Sequence, residues 1–303
     1  MCRHLAFLGP EEPLGRLLVE PEHSLYRQSW APRRQRYGTV NADGFGVGWY
    51  ARADPRPARY RRAGPIWADG SFADLARVVR TGALLAAVRD ATLAGADGEA
   101  AAAPFAADGL LFSHNGAIPG WPGSMAPLVP LLPPADLLSM EARTDSAFVW
   151  ALLLHRLRSG AEPGQALAET VQQVAEAAPG ARLNLLLTDG ATIAATAWGD
   201  SLCYLSEPGH RVVVASEPYD DDPRWREVPD RTLLTASRAG VELAPVERPA
   251  ERPDRKPADR PAEKPIGKSI DKPVRNPVED RAPSPTPGTV RAGAPTSPKE
   301  PCT

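Results

Sequence analysis

From Arg248 onward the chain reads RPAERPDRKPADRPAEKPIGKSIDKPVRNPVED, with Pro249, Pro253, Pro257, Pro261 and Pro265 evenly spaced and charges of both signs between them. Each proline removes a backbone donor and fixes φ, and the residues between have almost nothing apolar to bury. Neither a helix nor an interior strand survives that spacing. Residues 247–303 are therefore expected to form an extended, disordered tail, and the folded domain has to be built from residues 2–246. Basic residues slightly outnumber acidic ones in the tail; it reads as a spacer or solubility segment, with weak contact to an anionic partner as the other reading.

The remaining chain is long enough for a real core, since 43% of the sequence is hydrophobic. A formal net charge of -2 gives no electrostatic reason to expect nucleic acid or an anionic membrane as partner. Cys2, Cys203 and Cys302 are odd in number and form no C-x-x-C pair, so neither a disulfide framework nor a metal site is indicated. Cys203 reads as a small buried apolar residue. The first apolar run stops at Gly9-Pro10, too short for a signal-peptide core, and no later run reaches membrane-spanning length. The expected setting is a reducing cytoplasm.

Within residues 2–246 strand-like and helix-like periodicities alternate. Strands are expected over Arg3 to Leu8, over FGVGWYA from Phe45 to Ala51, over GALLAAV from Gly82 to Val88, and over Leu110 to Ser113. Two helices follow, DSAFVWALLLHRL from Asp145 to Leu157 and a second from Pro163 to Ala178. LNLLLTDGATIAATAW and CYLSEPGHRVVVAS then read as hairpins. Strands, two helices and more strands predict an α+β domain of layered mixed sheets.

Groups of different chemistry fall where these elements end. Cys2 opens the first strand, Arg89 follows the third in VRDAT, Asn115-Gly116 follows the fourth in HNG, and Asp145 opens the buried helix in RTDSAF. Converging, they would supply a thiol nucleophile, a guanidinium for a carboxylate, an amide plus a glycine N–H for an oxyanion, and a carboxylate for an ammonium. Taken singly, Arg89 reads equally as a surface arginine and Asp145 as a helix-terminal acid matched to the dipole. His4 shares strand parity with Cys2, which admits it as a base; His114 reads as a packed strand-end histidine.

The ordered set of Cys2 after Met1, NADGFGVGWY, R-x-A-T at Arg89 to Thr92, SHNG and TDS resembles the class II glutamine amidotransferase domain, an N-terminal-nucleophile hydrolase. The resemblance covers residues 2–246. It implies a four-layer αββα sandwich and cleavage of a γ-glutamyl amide through a thioester on Cys2, with the Cys2 α-amine as base. It assigns the oxyanion to Asn115 and Gly116, the glutamyl carboxylate to Arg89 with Thr92, and the glutamyl ammonium to Asp145. No metal or organic cofactor and no obligatory protein partner is implied.

MCRHLAFLG, HSLYRQSWAPRRQRYGTVNADGFGVGWY and ASEPYDDDPRWREVPDRTLLTAS are similar to the ergothioneine-pathway branch of that family, which removes a γ-glutamyl group from a sulfur-bearing histidine betaine. Trp30, Tyr37 and Trp49 are then the candidates for holding a trimethylammonium group by cation–π contact. Many glutamine-using members carry a tryptophan and a histidine where this chain has Asp90 and Leu93, and the expected chain carries no synthetase to consume ammonia. A free-standing glutaminase subunit is the second reading, and a binding module without turnover the third, which the intact Cys2, Asn115 and Gly116 oppose. Truncation after Val246 should leave solubility and turnover nearly unchanged; loss of soluble protein would show that the tail docks on the domain.

Overall fold

Side chains alternate along the first strand, β1 (Arg3–Pro13), and each face enters a different core. The computed structural model in which this is seen describes residues 2–91 and 98–246. Thr92, Cys302 and the expected tail lie outside the described residues.

Leu5 and Phe7 point to one face of β1 and pack with Leu84, Ala86 and Val88 of β4 (Arg80–Val88). The helices α1 (Leu14–Leu18), α2 (Leu25–Gln28) and α3 (Phe72–Val78) cover that face with Leu14, Leu25 and Phe72. Ala6 and Leu8 point the other way. They meet Leu111 of β6 (Leu110–Ala117) and Leu186 of β7 (Arg182–Thr188), which belong to a second sheet. On the far side of that sheet Phe112, Leu185 and Leu187 pack under α5 (Asp145–Arg158) and α6 (Pro163–Ala177). Helices, sheet, sheet and helices make the αββα sandwich that the resemblance implied.

The first sheet has seven strands and the second six, all paired antiparallel. In the first, β1 and β4 are flanked by β2 (Phe45–Ala51) and β3 (Asp54–Arg62) on one side. On the other side lie β9 (Cys203–Glu207), β10 (Arg211–Ala215) and the two-residue β11 (Arg226–Glu227). The second runs from β5 (Phe105–Ala107) through β6, β7 and β8 (Thr192–Ala197) to β12 (Thr232–Ser237) and β13 (Gly240–Pro245). The β7–β8 and β9–β10 hairpins fall where the turn residues placed them. A short helix α4 (Pro134–Leu138) precedes α5, which starts cleanly because the Thr144 hydroxyl accepts from the Ala147 N–H at 3.2 Å.

Two strands outrun their sequence signals. β1 continues past Gly9-Pro10 by taking an irregularity between Leu8 and Glu12, so the proline marks a shift of register and not an end. β6 continues through Asn115 and Gly116, which pair with Asn184 and Leu183 of β7. Those two residues therefore lie inside a strand, where the expectation had them following it; a neighbouring strand supplied backbone partners that no local pattern reveals.

His4 is sealed between the sheets, with Nδ1 3.2 Å from the Ser113 hydroxyl and its own N–H donating to Ser216 Oγ at 3.0 Å. Burial first, and then the charge of Arg3, push its pKa down to about 3. An unfolded histidine protonates near pH 6.5, so between those values the unfolded chain binds a proton that the folded chain refuses, and stability falls as the pH drops. Urea midpoints measured from pH 6.5 to pH 3 should fall less steeply for His4→Gln than for the parent. Parallel slopes would show that His4 is not a buried neutral group.

Candidate active site

The antiparallel pairing of Arg3 with Val88 sets Cys2 opposite Arg89 at one end of the first sheet. Phe45 also pairs with Val88, which brings in the NADG segment. There the Arg89 N–H donates to the Gly44 carbonyl at 2.8 Å, and its Nη1 donates to the Asp43 carbonyl at 3.2 Å. Asp43 Oδ2 accepts from the Ala91 N–H at 2.8 Å. NADG is thus the clamp that holds the segment after β4, and Arg89 leaves its strand in a fixed direction.

Across the gap, Ser113 and Asn115 share strand parity with Leu111, so β6 turns them toward the first sheet. Ser216 Oγ joins the two sheets, accepting from the His4 N–H and from Asn115 Nδ2 at 3.4 Å. Asn115 Oδ1 makes no hydrogen bond among the described residues. Gly116 has to be glycine, because a Cβ there would strike the Arg182 carbonyl and come within 2.6 Å of His114 Nε2. His114 Nε2 meets that carbonyl at 2.9 Å and must donate to it, leaving Nδ1 to accept from the Ser146 hydroxyl at 3.0 Å. His114 is therefore a brace between β6, β7 and α5.

These elements enclose a cleft of about 500 Å³ lined by Cys2, Arg89, Gly116, Asp145, Trp121 and Arg182 among others. The Asp145 carboxylate is oriented by the N–H groups of Ser146, at 2.8 Å, and Ile118, at 3.2 Å. Burial raises the Cys2 thiol above its ordinary pKa; the positive chain terminus, a hydrogen bond from the Asp90 backbone and the Arg89 charge oppose it. The lining brings guanidinium, carboxylate and thiol groups into one cleft, which suits a zwitterionic substrate carrying an electrophilic carbonyl.

Of the nine residues singled out in the sequence, Cys2, Arg89, Gly116, Asp145 and Tyr37 line this cleft. Asn115 lies directly behind Gly116, fully buried. Thr92 is outside the described residues. Trp30 and Trp49 do not line the cleft. Trp30 stands edge-on to Tyr26 and Trp67, with centroids 5.1 and 5.7 Å away, and Arg27 covers it. Trp49 shares parity with Phe45 and Val47, which turns it into the helix-covered core. Tyr37 reaches the cleft, but its ring is covered by the Arg182 guanidinium, with Cζ 4.1 Å from the centroid, and that face is closed to a trimethylammonium. Trp121, Arg143, Ser146 and Arg182 were not anticipated. Trp121 and Arg143 lie in irregular segments, and Arg182 reads locally as the polar start of a strand.

The loop that carries Tyr37 is tied down from the late SEPYDDD segment. Fully buried Glu217 accepts from the N–H groups of Arg33, at 3.0 Å, and Arg34, at 2.7 Å. Asp221 and Glu227 hold the two side chains at 2.9 and 2.8 Å. Among the described residues, Glu22, His23 and Asp221 form a close group of metal-ligand type, but none of them lines the cleft and Asp221 is already engaged by Arg33. No helix among the described residues is long and apolar enough to cross a membrane.

The family profile "Glutamine amidotransferases class-II" matches residues 19–212. The chain is 42% identical over 246 residues to a gamma-glutamyl-hercynylcysteine sulfoxide hydrolase of Mycolicibacterium smegmatis, covering 81% of this chain and 100% of that one. It is 41% identical to the protein of the same description from Mycobacterium tuberculosis, covering 82% and 98%. Among solved structures, a glutamine aminotransferase class-II domain protein from Silicibacter pomeroyi superposes with a TM-score of 0.59 at 24% identity, over 81% and 100% of the two chains. A glutamine phosphoribosylpyrophosphate amidotransferase from B. subtilis has the same fold, with a TM-score of 0.56 at 17% identity over 81% of this chain and 49% of that one. With its sandwich, its cleft at the start of β1 and relatives matched over nearly their whole length, the chain belongs to the class-II glutamine amidotransferases.

Proposed function

We propose that this chain hydrolyses the γ-glutamyl amide of γ-glutamyl-hercynylcysteine sulfoxide, releasing glutamate and hercynylcysteine sulfoxide. One observation carries the reading: proteins of that description are matched over 98% or more of their length at 41–42% identity. The zwitterionic cleft around Cys2 supports it.

The chemistry follows from the residues. Removal of Met1 frees the Cys2 α-amine, whose pKa of about 7.7 to 8 suits a base at ambient pH. His4, neutral and bonded to Ser113, is a far weaker base, with its pKa near 3. The amine takes the thiol proton through a water, and the thiolate attacks the γ-carbonyl. Asn115 and the Gly116 N–H are the oxyanion donors in this reading. Collapse expels the amine, which leaves with a proton, and forms a γ-glutamyl thioester; water cleaves the thioester and regenerates the thiol. Arg89, with Thr92, takes the glutamyl α-carboxylate and Asp145 the α-ammonium. That grip presents the γ-carbon to Cys2, and proximity supplies much of the rate.

Cys2→Ala should abolish turnover with the melting temperature unchanged, and intact-mass measurement of active parent protein should give a chain starting at Cys2. Retained Met1 in active protein would sink the N-terminal-amine mechanism. In competition at equal concentrations, the hercynyl conjugate should be preferred to free glutamine by more than about tenfold in kcat/KM, because the pocket beyond the carbonyl has a whole leaving group to contact. Equal or faster turnover of glutamine, or activity only with an added synthetase, would favour an ammonia-supplying subunit.

A further inference from the structure

Arg182 opens β7 beside Gly116 and is fixed from every side. Its carbonyl receives His114, as described, and its stem lies over Gly199, where an added Cβ would come within 3.0 Å of Cγ. Tyr37 stacks on the guanidinium at 4.1 Å. Nη1 is 3.8 Å from Asp200 Oδ1, beyond hydrogen-bonding distance, and makes no hydrogen bond among the described residues. The Asp200 side chain is 2% exposed; burial raises its pKa, and the charges of Arg182 and Arg3 oppose that rise. The outcome is a guanidinium ordered by packing, with Nη1 buried toward Asp200, on a side chain that is 19% exposed and lines the cleft.

Of the cleft's arginines, two come from different sheets. Arg89 comes from the first, next to Cys2, while Arg182 comes from the second, on the strand paired to Gly116. A γ-glutamyl group needs one of them. In a γ-glutamyl-cysteine conjugate the expelled amine is itself an α-amino acid, with a carboxylate on the carbon attached to the scissile nitrogen. Glutamine expels ammonia, which has none.

We propose that Arg182 receives the carboxylate of the leaving amino acid and so makes the cleft selective for γ-glutamyl amino acids over simple γ-glutamyl amides. This rests on the γ-glutamyl hydrolase reading above. Guanidinium and carboxylate match as two parallel charge-assisted hydrogen bonds, and pre-stacking on Tyr37 removes the cost of ordering the side chain on binding.

The test compares γ-glutamyl-S-methylcysteine sulfoxide with the γ-glutamyl amide of 2-(methylsulfinyl)ethylamine, which differs only in lacking that carboxylate. The parent should prefer the acid by about tenfold or more in kcat/KM, as expected when a site built for a polar group meets an analogue without it. In Arg182→Met the ratio should fall close to one, and in Arg182→Lys to an intermediate value. A purely structural role for Arg182 would lower both compounds alike and keep the ratio, which would overturn the assignment. So would a parent without preference, or a ratio abolished by Arg143→Met but kept in Arg182→Met. Where turnover is too slow, Kd values for the same pair on Cys2→Ala protein give the same ratio. Neither compound carries the betaine, so failure here is separate from failure of the hercynyl-against-glutamine competition.

Discussion

The whole arrangement depends on two antiparallel sheets packing face to face. Strand parity is then absolute: Ala6 and Leu8 must meet Leu111 and Leu186, and the residues of the same parity nearer the strand ends must enter the same gap. Those residues are Cys2 just before β1, His4 on it, and Ser113 and Asn115 on β6. The apolar middle of the seam holds the sheets together, and its polar end becomes the site. His4 to Ser113 and Ser216 to both His4 and Asn115 are the hydrogen bonds that make burial of that end tolerable.

Around this gap the molecule uses buried polar groups chiefly to orient backbone. Asp43 turns the segment after β4, Asp145 is aimed by two amides, and His114 links three elements through one imidazole. Glu217 anchors a loop more than a hundred residues away in sequence by accepting two consecutive backbone N–H groups. Such bonds are retained because a half-satisfied group in this environment costs more than the pair contributes. They also account for the long polar segments HSLYRQSWAPRRQRYGTVNADG and SEPYDDD: the first carries α2 and brings Tyr37 to the cleft, and the second holds its Arg33-Arg34 backbone in place.

Two of the cleft's arginines come from different sheets, Arg89 from the first opposite Cys2 and Arg182 from the second beside Gly116. Trp121 also lines the cleft, packed on Phe148 with ring centroids 5.6 Å apart. The aromatic residues favoured by sequence order lie elsewhere for reasons of parity and clustering, as Trp49 and Trp30 show.

Much of the architecture was legible locally. The apolar runs LAFL and LLAAV, the turn residues Asp189-Gly190 and the acid Asp145 at a helix start are short-range signals, and they placed the strands, the hairpins and the two long helices. Cys2, Arg89, Gly116 and Asp145 were legible because the ends of buried elements are where side chains of such chemistry can face a cleft. What the chain could not reveal is which ends meet. The continuation of β6 through Asn115-Gly116 needs β7 as partner, the exclusion of Trp49 needs the helix layer, and the emplacement of Arg182 needs Tyr37, Gly199, Asp200 and His114 from three separate stretches. Periodicity and turn chemistry act over a few residues and belong to the sequence; the direction of a guanidinium is set by packing among segments far apart in the chain, and only the folded protein decides it.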